Sequence, residues 1–240
     1  MKVKVLAVDI DGTLTENDNG VVHLGSLSML RTIESMGCKV IYVTGRSSIE
    51  AYILSVFGGT TRIAVGENGG VITTSPHEHR FLVDRSHSEK AYEFLRSRID
   101  NVKIKIIFPR MTEVVLERTF DMIVAAQMLK ENNLPVIIAD SKFAYHLNHE
   151  SINKSVGFKV VLTMLGIKPE ESIAIGDSET DVSLFNICGY SIALGNAETD
   201  VKASAKHSVN KNFGNGLVEA LDHIAQNFLG VKNDIQIFDK

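Results

Sequence analysis

The sequence has few cysteines and no long apolar segment. Cys38 and Cys188 are its two cysteines, so it has neither a disulfide framework nor the close cysteine pair of a metal motif. We interpret both as buried thiols of a reduced protein. No apolar run approaches the roughly 18 residues that a membrane helix needs, and the first residues lack the apolar stretch of a signal peptide. We therefore expect a cytoplasmic protein that does not bind membranes.

The chain also lacks an excess of positive charge. Its 25 Lys and Arg residues are outnumbered by 29 Asp and Glu residues, which gives a formal net charge of −4. A general nucleic-acid binder usually needs a basic face, so the balance argues against a nucleic-acid partner. A local phosphate pocket can still be basic within an acidic protein. For the oligomeric state we expect a monomer or a homodimer.

The first part of the chain alternates between apolar strands and amphipathic helices. Near-continuous apolar runs at residues 2–10, 40–43 and 62–65 are typical of strands buried on both faces of a parallel sheet. Ser47 and Glu50 have the spacing of a capping box that opens one of the intervening helices. A β-α-β-α-β order predicts parallel strands joined by right-handed crossovers.

A different pattern occupies the middle of the chain. Between residues 84 and 148, a helical segment is followed by two strand-like segments, and the same order then recurs. The first pair of strands is predicted at residues 103–108 and 113–117. This order indicates a small α+β unit built on an antiparallel sheet, with no residue-level repeat.

After residue 148 the alternation of strands and helices resumes. We therefore predict an α/β protein with a doubly wound, mostly parallel sheet and an inserted α+β cap in which α-β-β occurs twice. The core domain would comprise residues 1–83 and 149–230, the cap 84–148, and a loosely held tail 231–240. Ligands of such sheets bind at the carboxyl ends of the strands, so the residues after each strand are the candidates for function.

Two carboxylates follow the first predicted strand, at Asp9 and Asp11. Carboxylates at a buried strand end are costly unless a cation lies beside them, and oxygen ligands suit Mg²⁺. Gly12 would let the backbone turn sharply and direct its N–H groups toward an anion. A simple turn with helix-capping acids, or a calcium loop, is the alternative for this short motif.

A hydroxyl and a lysine recur at the same edge of the predicted sheet. Thr44 follows the second strand and could bind a phosphate oxygen, although a helix-start residue is an equal alternative. Arg46 could bind phosphate or form a surface pair. Lys154 opens a helix, where the helix dipole favours anions, so the lysine could have an anionic partner, with a solvated surface lysine as an equal alternative.

A second group of acids follows the strand near residues 173–175. Asp177 and Asp181 lie at this strand end and at the start of the next helix. Asp181 could merely cap that helix. The order Asp-x-Asp, Thr, Lys and Gly-Asp-x-x-x-Asp on one sheet edge instead predicts a single site that binds a metal ion and a phosphoryl group.

These motifs resemble those of the haloacid dehalogenase-like hydrolase superfamily. Residues 9–14, Asp-Ile-Asp-Gly-Thr-Leu, look like its first motif, and Thr44, Lys154 and Asp177 with Asp181 look like the other three. The inserted unit resembles the cap of the Cof-like class-II branch. Within that branch the chain is similar to archaeal phosphoglycolate phosphatases over nearly its whole length.

The resemblance implies a mechanism and a role for each residue. Asp9 would be the nucleophile that forms an aspartyl phosphate, and Asp11 the general acid and base. Thr44 and Lys154 would bind the phosphoryl oxygens of a small phosphorylated metabolite. Mg²⁺ would be held by the metal ligands that the resemblance implies, which are Asp9, Asp11 through its backbone carbonyl, Asp177 and Asp181. The implied reaction is hydrolysis of 2-phosphoglycolate to glycolate and phosphate.

Three other functions share parts of this pattern. They are a sugar-phosphate phosphatase of the same branch, a phosphomutase, and a phospho-aspartate receiver, which is not an enzyme. The acid at Asp11 and the large inserted unit favour turnover over a receiver. In the cap, Arg110, Arg118 and His146 could bind a substrate carboxylate, but the sequence favours a surface or structural role for each, so none is predicted as a site residue.

Overall fold

The computed structural model describes residues 2–17, 20–141 and 143–231, so almost all of the predicted tail, residues 232–240, lies outside the described residues. The chain forms eleven described strands: β1 Val5–Val8, β2 Lys39–Val43, β3 Ala64–Gly66, β4 Val71–Ser75, β5 Glu78–Phe81, β6 Val114–Leu116, β7 Val136–Asp140, β8 Tyr145–His149, β9 Ser172–Gly176, β10 Tyr190–Ala193 and β11 His207–Ser208.

Eight α-helices connect these strands within the described parts of the chain: α1 Leu24–Ser35, α2 Ser48–Gly58, α3 Ser86–Arg96, α4 Met122–Glu131, α5 Lys154–Leu165, α6 Val182–Phe185, α7 Thr199–Ser204 and α8 Phe213–Phe228. The predicted capping box is present at α2, where Ser47 and Glu50 satisfy each other's backbone N–H groups. Of the helices described, none combines the length and apolarity that crossing a membrane requires.

The main sheet has eight strands in the order β11-β10-β9-β1-β2-β3-β4-β5. All neighbours from β11 to β3 pair in parallel, whereas β4 and β5 add an antiparallel edge. The predicted α/β class with a mostly parallel sheet is therefore confirmed. The central strand β1 lies between β2 and β9, which brings together strand ends that are far apart in sequence.

Side chains alternate across the sheet and fill two hydrophobic layers. Leu6 and Val8 of β1 pack on one face against α1 and α8, while Val5 and Ala7 pack on the other against α5 and α6. All four side chains are fully buried. This two-sided burial explains why the strand reads as a continuous apolar run in the sequence.

A second sheet of three antiparallel strands has the order β6-β8-β7 and lies on a separate apolar cluster with α3 and α4. The strand predicted at residues 103–108 is reduced to an isolated bridge between Ile104 and Leu116. Backbone pairing with this neighbour ends at Lys105, and the following Ile106 is almost fully exposed. The predicted boundaries of the cap, 84–148, stay a prediction.

The antiparallel hairpin β4–β5 was not predicted. Its first strand carries the β-branched run Val71-Ile72-Thr73-Thr74, which is a strand signal, but the second strand is short and largely polar. The Thr73 hydroxyl donates to Ser48 Oγ at 2.8 Å, which joins the first strand of the hairpin to the start of α2. The main sheet therefore extends two strands further than the sequence pattern indicated.

Candidate active site

The carboxyl ends of β1, β2 and β9 meet at one edge of the sheet. Val8 of β1 is level with Ile175 of β9 and with Tyr42 of β2. Asp9 and Asp177 therefore leave adjacent strands at nearly the same height. Thr44 leaves β2 level with Asp177, one position beyond Asp9.

Lys154 lies between two of the acids that this edge collects. Its Nζ donates to Asp9 Oδ1 at 2.8 Å and to Asp181 Oδ1 at 2.7 Å, and its side chain is only 2% exposed. Asp9, Asp177 and Asp181 each offer a carboxylate oxygen within 4.8 Å of the others. Four residues separated by up to 172 positions in the sequence thus form one charged cluster at the carboxyl edge of the sheet.

The first turn of α5 determines where Lys154 lies. Asn153 caps this helix, because its side-chain oxygen accepts hydrogen bonds from the amides of Ser155 and Val156. The loop with Gly69 packs directly on this turn, since a Cβ at Gly69 would lie 2.1 Å from the carbonyl oxygen of Asn153. Close backbone packing therefore requires glycine in this loop and holds the lysine at the strand ends.

Hydrogen bonds to Asp181 order the loop after β9. Its Oδ2 accepts from the backbone amides of Asp177 and Ser178 and from the Ser178 hydroxyl, at 2.9–3.1 Å. Thr13 from the first motif donates its hydroxyl to Asp177 Oδ1 at 2.8 Å. Gly12 has φ +79° and approaches Asp177 so closely that a Cβ would lie 2.3 Å from its Oδ2. The two acidic motifs therefore fix each other.

Asn196 is a site residue that the sequence analysis missed. Its Nδ2 donates to Asp177 Oδ2 at 2.9 Å and to the carbonyl oxygen of Gly12 at 3.0 Å. Its own oxygen accepts from the amide of Phe213, which fixes the orientation of the side-chain amide. The position after strand β10, next to β9 in the sheet, was the signal that could have identified it.

Two predicted residues lie outside the lysine-centred cluster. Thr44 is buried, and its Oγ1 accepts from the Arg46 amide at 3.1 Å, which leaves the hydroxyl hydrogen free to donate. The Asp11 carboxylate is half exposed and accepts two hydrogen bonds of 2.7 Å from Arg46 Nε and Nη2. Phosphate binding and a surface ion pair were the two interpretations considered for Arg46. The structure contains the ion pair, in which Asp11 is the main partner of Arg46.

Burial and like charge perturb the acids of the cluster. Burial and the neighbouring Asp181 raise the pKa of Asp9 well above its usual value, although Lys154 opposes them. The same two causes raise the pKa of Asp177 to about 7. Burial alone would lower the pKa of Lys154, but Asp181 and Asp9 raise it above the usual value. One ammonium thus faces three carboxylates, and negative charge is in excess.

The cluster is chemically suited to a hard divalent cation. Its candidate ligands are all oxygens, and a dication would neutralise the carboxylate charge that Lys154 leaves uncompensated. Burial and the charge of Asp181 raise the pKa of Asp177, and a cation bound beside this carboxylate would lower it. The residues present therefore fit an Mg²⁺ ion.

Comparison with known proteins assigns the chain to a family. Residues 6–138 and 120–221 match the family of haloacid dehalogenase-like hydrolases, which covers most of the chain. The chain belongs to this family. A phosphoglycolate phosphatase from Nitrosopumilus maritimus is 49% identical over 225 residues, which are 94% of this chain and 97% of the relative. The expectation of a hydrolase similar to phosphoglycolate phosphatases is thereby confirmed.

Two solved structures share the fold of this chain. The Thermoplasma acidophilum protein 0175 superposes on this chain with a TM-score of 0.84 at 20% sequence identity. The match covers 93% of this chain and 98% of the Thermoplasma chain. A subclass IIB sugar phosphatase of the superfamily reaches 0.75 at 18% identity, covering 93% and 99%. The likeness of fold to a subclass IIB protein agrees with the expected class-II branch. Phosphatases of the superfamily generally use Mg²⁺.

Proposed function

We propose that this hydrolase is a Mg²⁺-dependent phosphatase that transfers the phosphoryl group of a small monoester to Asp9 and then to water. One observation carries the proposal: Asp9 and Asp181 bind the ammonium of Lys154 at the carboxyl edge of the sheet, and Asp177 lies beside these two carboxylates. This arrangement provides a nucleophile, a cation for the transferred group and a ligand set for a metal.

In the first half of the reaction, a carboxylate oxygen of Asp9 attacks phosphorus and the bond to the leaving oxygen breaks. Once its pair with Arg46 has opened, Asp11 takes up a proton from solvent and passes it to that oxygen, so that the product leaves as a neutral alcohol at this end. Lys154 and Thr44 donate to the oxygens of the transferred group, since both lie at this edge of the sheet. Asp9 carries the phosphoryl group at the end of this half.

In the second half, water attacks the phosphorus of the aspartyl phosphate. Asp11, now ionised, takes the proton of this water, and the bond between phosphorus and the Asp9 oxygen breaks. Phosphate leaves, and both carboxyl groups return to their starting states. The cycle therefore consumes one water for each ester, with no other reactant.

Arg46 connects substrate binding to the action of Asp11. It occupies both oxygens of the Asp11 carboxylate, so Asp11 reaches a leaving group only after this pair opens. A phosphoryl group is a stronger partner for a guanidinium than a half-exposed carboxylate. We propose that the arriving phosphate draws Arg46 to itself and frees Asp11 at that moment.

The metal would be held by the carboxylates of Asp9 and Asp177 with the backbone carbonyl of Asp11, and Asp181 would support the set through the loop it orders. When bound, Mg²⁺ would neutralise the charge of the carboxylates and of the transferred group. Asn196 and Thr13 keep Asp177 in position for this role.

The stabilising effect of Mg²⁺ is expected to increase with pH. The pKa of Asp177 is raised to about 7 from an ordinary value of 3.8. The raised pKa of Asp177 contributes folding stability that is fully present below about pH 4 and is lost as the pH rises through 7. The metal-free protein is therefore less stable at about pH 8. Mg²⁺ needs ionised ligands, so it offsets this loss of stability at a pH where the carboxylates are charged.

Thermal unfolding at pH 5 and pH 8, with and without saturating Mg²⁺, measures this effect. At a concentration of about 100 Kd we expect Tm to rise by roughly 5–10 °C at pH 8 and by much less at pH 5. Asp177→Asn is the matched control, in which the pH dependence of the shift should be greatly reduced. Equal shifts at both pH values in the wild type would contradict the assignment of these ligands.

The substrate we propose is 2-phosphoglycolate. Its support is the identity of 49% with a protein named phosphoglycolate phosphatase, over nearly the whole of both chains. We also propose that residues 84–148 act as the cap that covers the leaving group. A small cap pocket would suit a two-carbon acid better than a sugar, and it would exclude water from the first half of the reaction.

Phosphate release tests both the reaction and the substrate. We expect hydrolysis of 2-phosphoglycolate and p-nitrophenyl phosphate with Mg²⁺, and little hydrolysis with EDTA. kcat/KM for 2-phosphoglycolate should exceed that for glucose 6-phosphate by more than tenfold. The reverse order would identify a sugar-phosphate phosphatase. A receiver would release almost no phosphate from any ester, and a phosphomutase would produce isomerised sugar phosphate.

A further inference from the structure

A buried carboxylate joins the core to the inserted unit. Glu67 follows strand β3, and its carboxylate accepts hydrogen bonds from the amides of Met111, Thr112 and Glu113 at 2.7–3.3 Å. The Thr112 hydroxyl adds another bond at 2.9 Å. Residues 110–113, which we name the cap loop, are therefore held in one conformation against the core.

The cap loop presents Arg110 to the edge of the main sheet. Arg110 Nη1 donates to the carbonyl oxygen of Gly45 at 2.8 Å and lies 3.1 Å from Glu113 Oε1. Arg85 donates to the carbonyl oxygen of Arg110 itself. The backbone of Arg110 and one end of its guanidinium are thus both fixed, which limits the Arg110 side chain to one orientation.

The position of Gly45 connects Arg110 with the reaction. Gly45 lies between Thr44, which we assign to the phosphoryl group, and Arg46, which binds Asp11. The guanidinium of Arg110 contacts this carbonyl group from the inserted unit, one residue along the chain from the threonine assigned to the phosphoryl group. That is where the leaving group of a bound ester would extend once its phosphorus faces Asp9.

One donor of Arg110 has no partner. The side chain is 10% exposed, and its Nε is buried without a hydrogen bond to any residue that the structure describes. An unsatisfied buried donor on a cation is costly, so a ligand that completes it gains free energy. Nε and Nη2 form the side-on fork of a guanidinium, whose geometry matches the two oxygens of a carboxylate.

The other two cationic candidates in the inserted unit are engaged elsewhere. Arg118 is exposed and forms an ion pair with Asp140 at 2.8 Å. Both ring nitrogens of His146 lie within hydrogen-bond distance of side chains, Glu113 Oε2 at 3.0 Å and Ser141 Oγ at 3.1 Å. Arg110 is therefore the residue of the three that combines an unpaired buried donor with a contact to the core.

We propose that Arg110 binds the carboxylate of the leaving group and makes the enzyme selective for phosphorylated acids. The proposal rests on the phosphatase function given above and extends it to the residue that recognises the substrate. Glu67 is the positioning residue in this scheme, because it fixes the cap loop that carries Arg110. An ester that ends in a hydroxyl would gain little from this contact.

The test compares two esters of equal length, 2-phosphoglycolate and 2-hydroxyethyl phosphate. In Arg110→Gln, kcat/KM for 2-phosphoglycolate should fall about 10–100-fold, whereas kcat/KM for 2-hydroxyethyl phosphate should change less than about threefold. Arg110→Lys keeps the charge without the fork and should lose an intermediate amount. Arg118→Gln is the matched control, and we expect both esters to react as in the wild type.

Each other outcome overturns a defined part of the scheme. Equal losses for both esters in the Arg110 variants would mean that Arg110 only holds the inserted unit to the core. Unchanged selectivity in Arg110→Gln would assign the carboxylate to another residue while leaving the proposed substrate intact. A wild type without preference for 2-phosphoglycolate would reject the substrate and Arg110 together. If Arg110→Gln unfolds, the ratio in Arg110→Lys decides between these outcomes.

Discussion

Replacing Asp9 with asparagine is expected to reduce kcat by about 10⁴-fold or more while preserving the fold. An amide has nearly the same shape as the carboxylate and can still accept a hydrogen bond from Lys154, but it is not a nucleophile toward phosphorus. The change also removes one of three crowded carboxylates. Burial and the charge of Asp181 raise the pKa of Asp9 well above its usual value, so this carboxylate is costly in its ionised form. We therefore expect the metal-free variant to be at least as stable as the wild type.

Phosphate release from 2-phosphoglycolate, together with thermal unfolding in EDTA, measures both parts of this result. Asp11→Asn is the informative comparison, because it keeps the nucleophile and removes the acid and base. We expect this variant to be slowed about 10²–10⁴-fold and to accumulate a phosphorylated protein visible by mass spectrometry. Retention of more than about 1% of kcat in Asp9→Asn would exclude Asp9 as the nucleophile.

The fold could be predicted where burial produces a clear period. Strands buried on both faces, such as β1 and β9, read as short apolar runs, and helices between them carry caps such as the one at α2. The prediction failed where pairing depends on distant partners. Strand β5 is largely polar and pairs with β4 alone, whereas residues 103–108 have an apolar pattern but gain only an isolated bridge.

The site was predictable as a set of strand ends but not as a network. Parallel strands share one carboxyl edge, so Asp9 and Asp177 could be expected to meet once β1 and β9 were assigned to one sheet. Which side chains bond to each other depends on loop geometry that spacing does not encode. The pairing of Asp11 with Arg46 and the contact of Asn196 with Asp177 are examples, because each joins residues from separate loops.

Glu67 illustrates a residue whose role becomes visible only in three dimensions. In the sequence, Glu67 lies in the glycine-rich segment of residues 66–70. Nothing in that segment indicates that its hydrogen-bond partners lie more than forty residues away in the cap loop. Burial and Glu113 raise the pKa of its carboxyl group. Glu67 and Asn68 both have φ of 53°, a left-handed conformation that costs free energy in residues other than glycine. Tertiary hydrogen bonds to the cap loop offset this local cost.

Replacing Lys154 with methionine is expected to destabilise the protein by about 3–5 kcal/mol and to reduce kcat about 10²–10³-fold. Methionine fills a similar volume but leaves Asp9 and Asp181 without the ammonium that lies 2.7–2.8 Å from each. Both carboxylates are buried, so water cannot replace the lost charge. Lys159→Met on the exposed side of α5 is the matched control, with an expected change within about 0.5 kcal/mol.

A double variant separates the charge of Lys154 from its packing. If repulsion between buried carboxylates causes the loss, then Lys154→Met should cost about 1–3 kcal/mol less in an Asp9→Asn background than in the wild type. Denaturant unfolding in EDTA gives the four free energies that this cycle requires. Equal costs in the two backgrounds would show that the aliphatic part of Lys154, rather than its charge, supports the core. The double variant should be inactive in either case, because it lacks the nucleophile Asp9. Recovered stability would therefore not bring recovered activity.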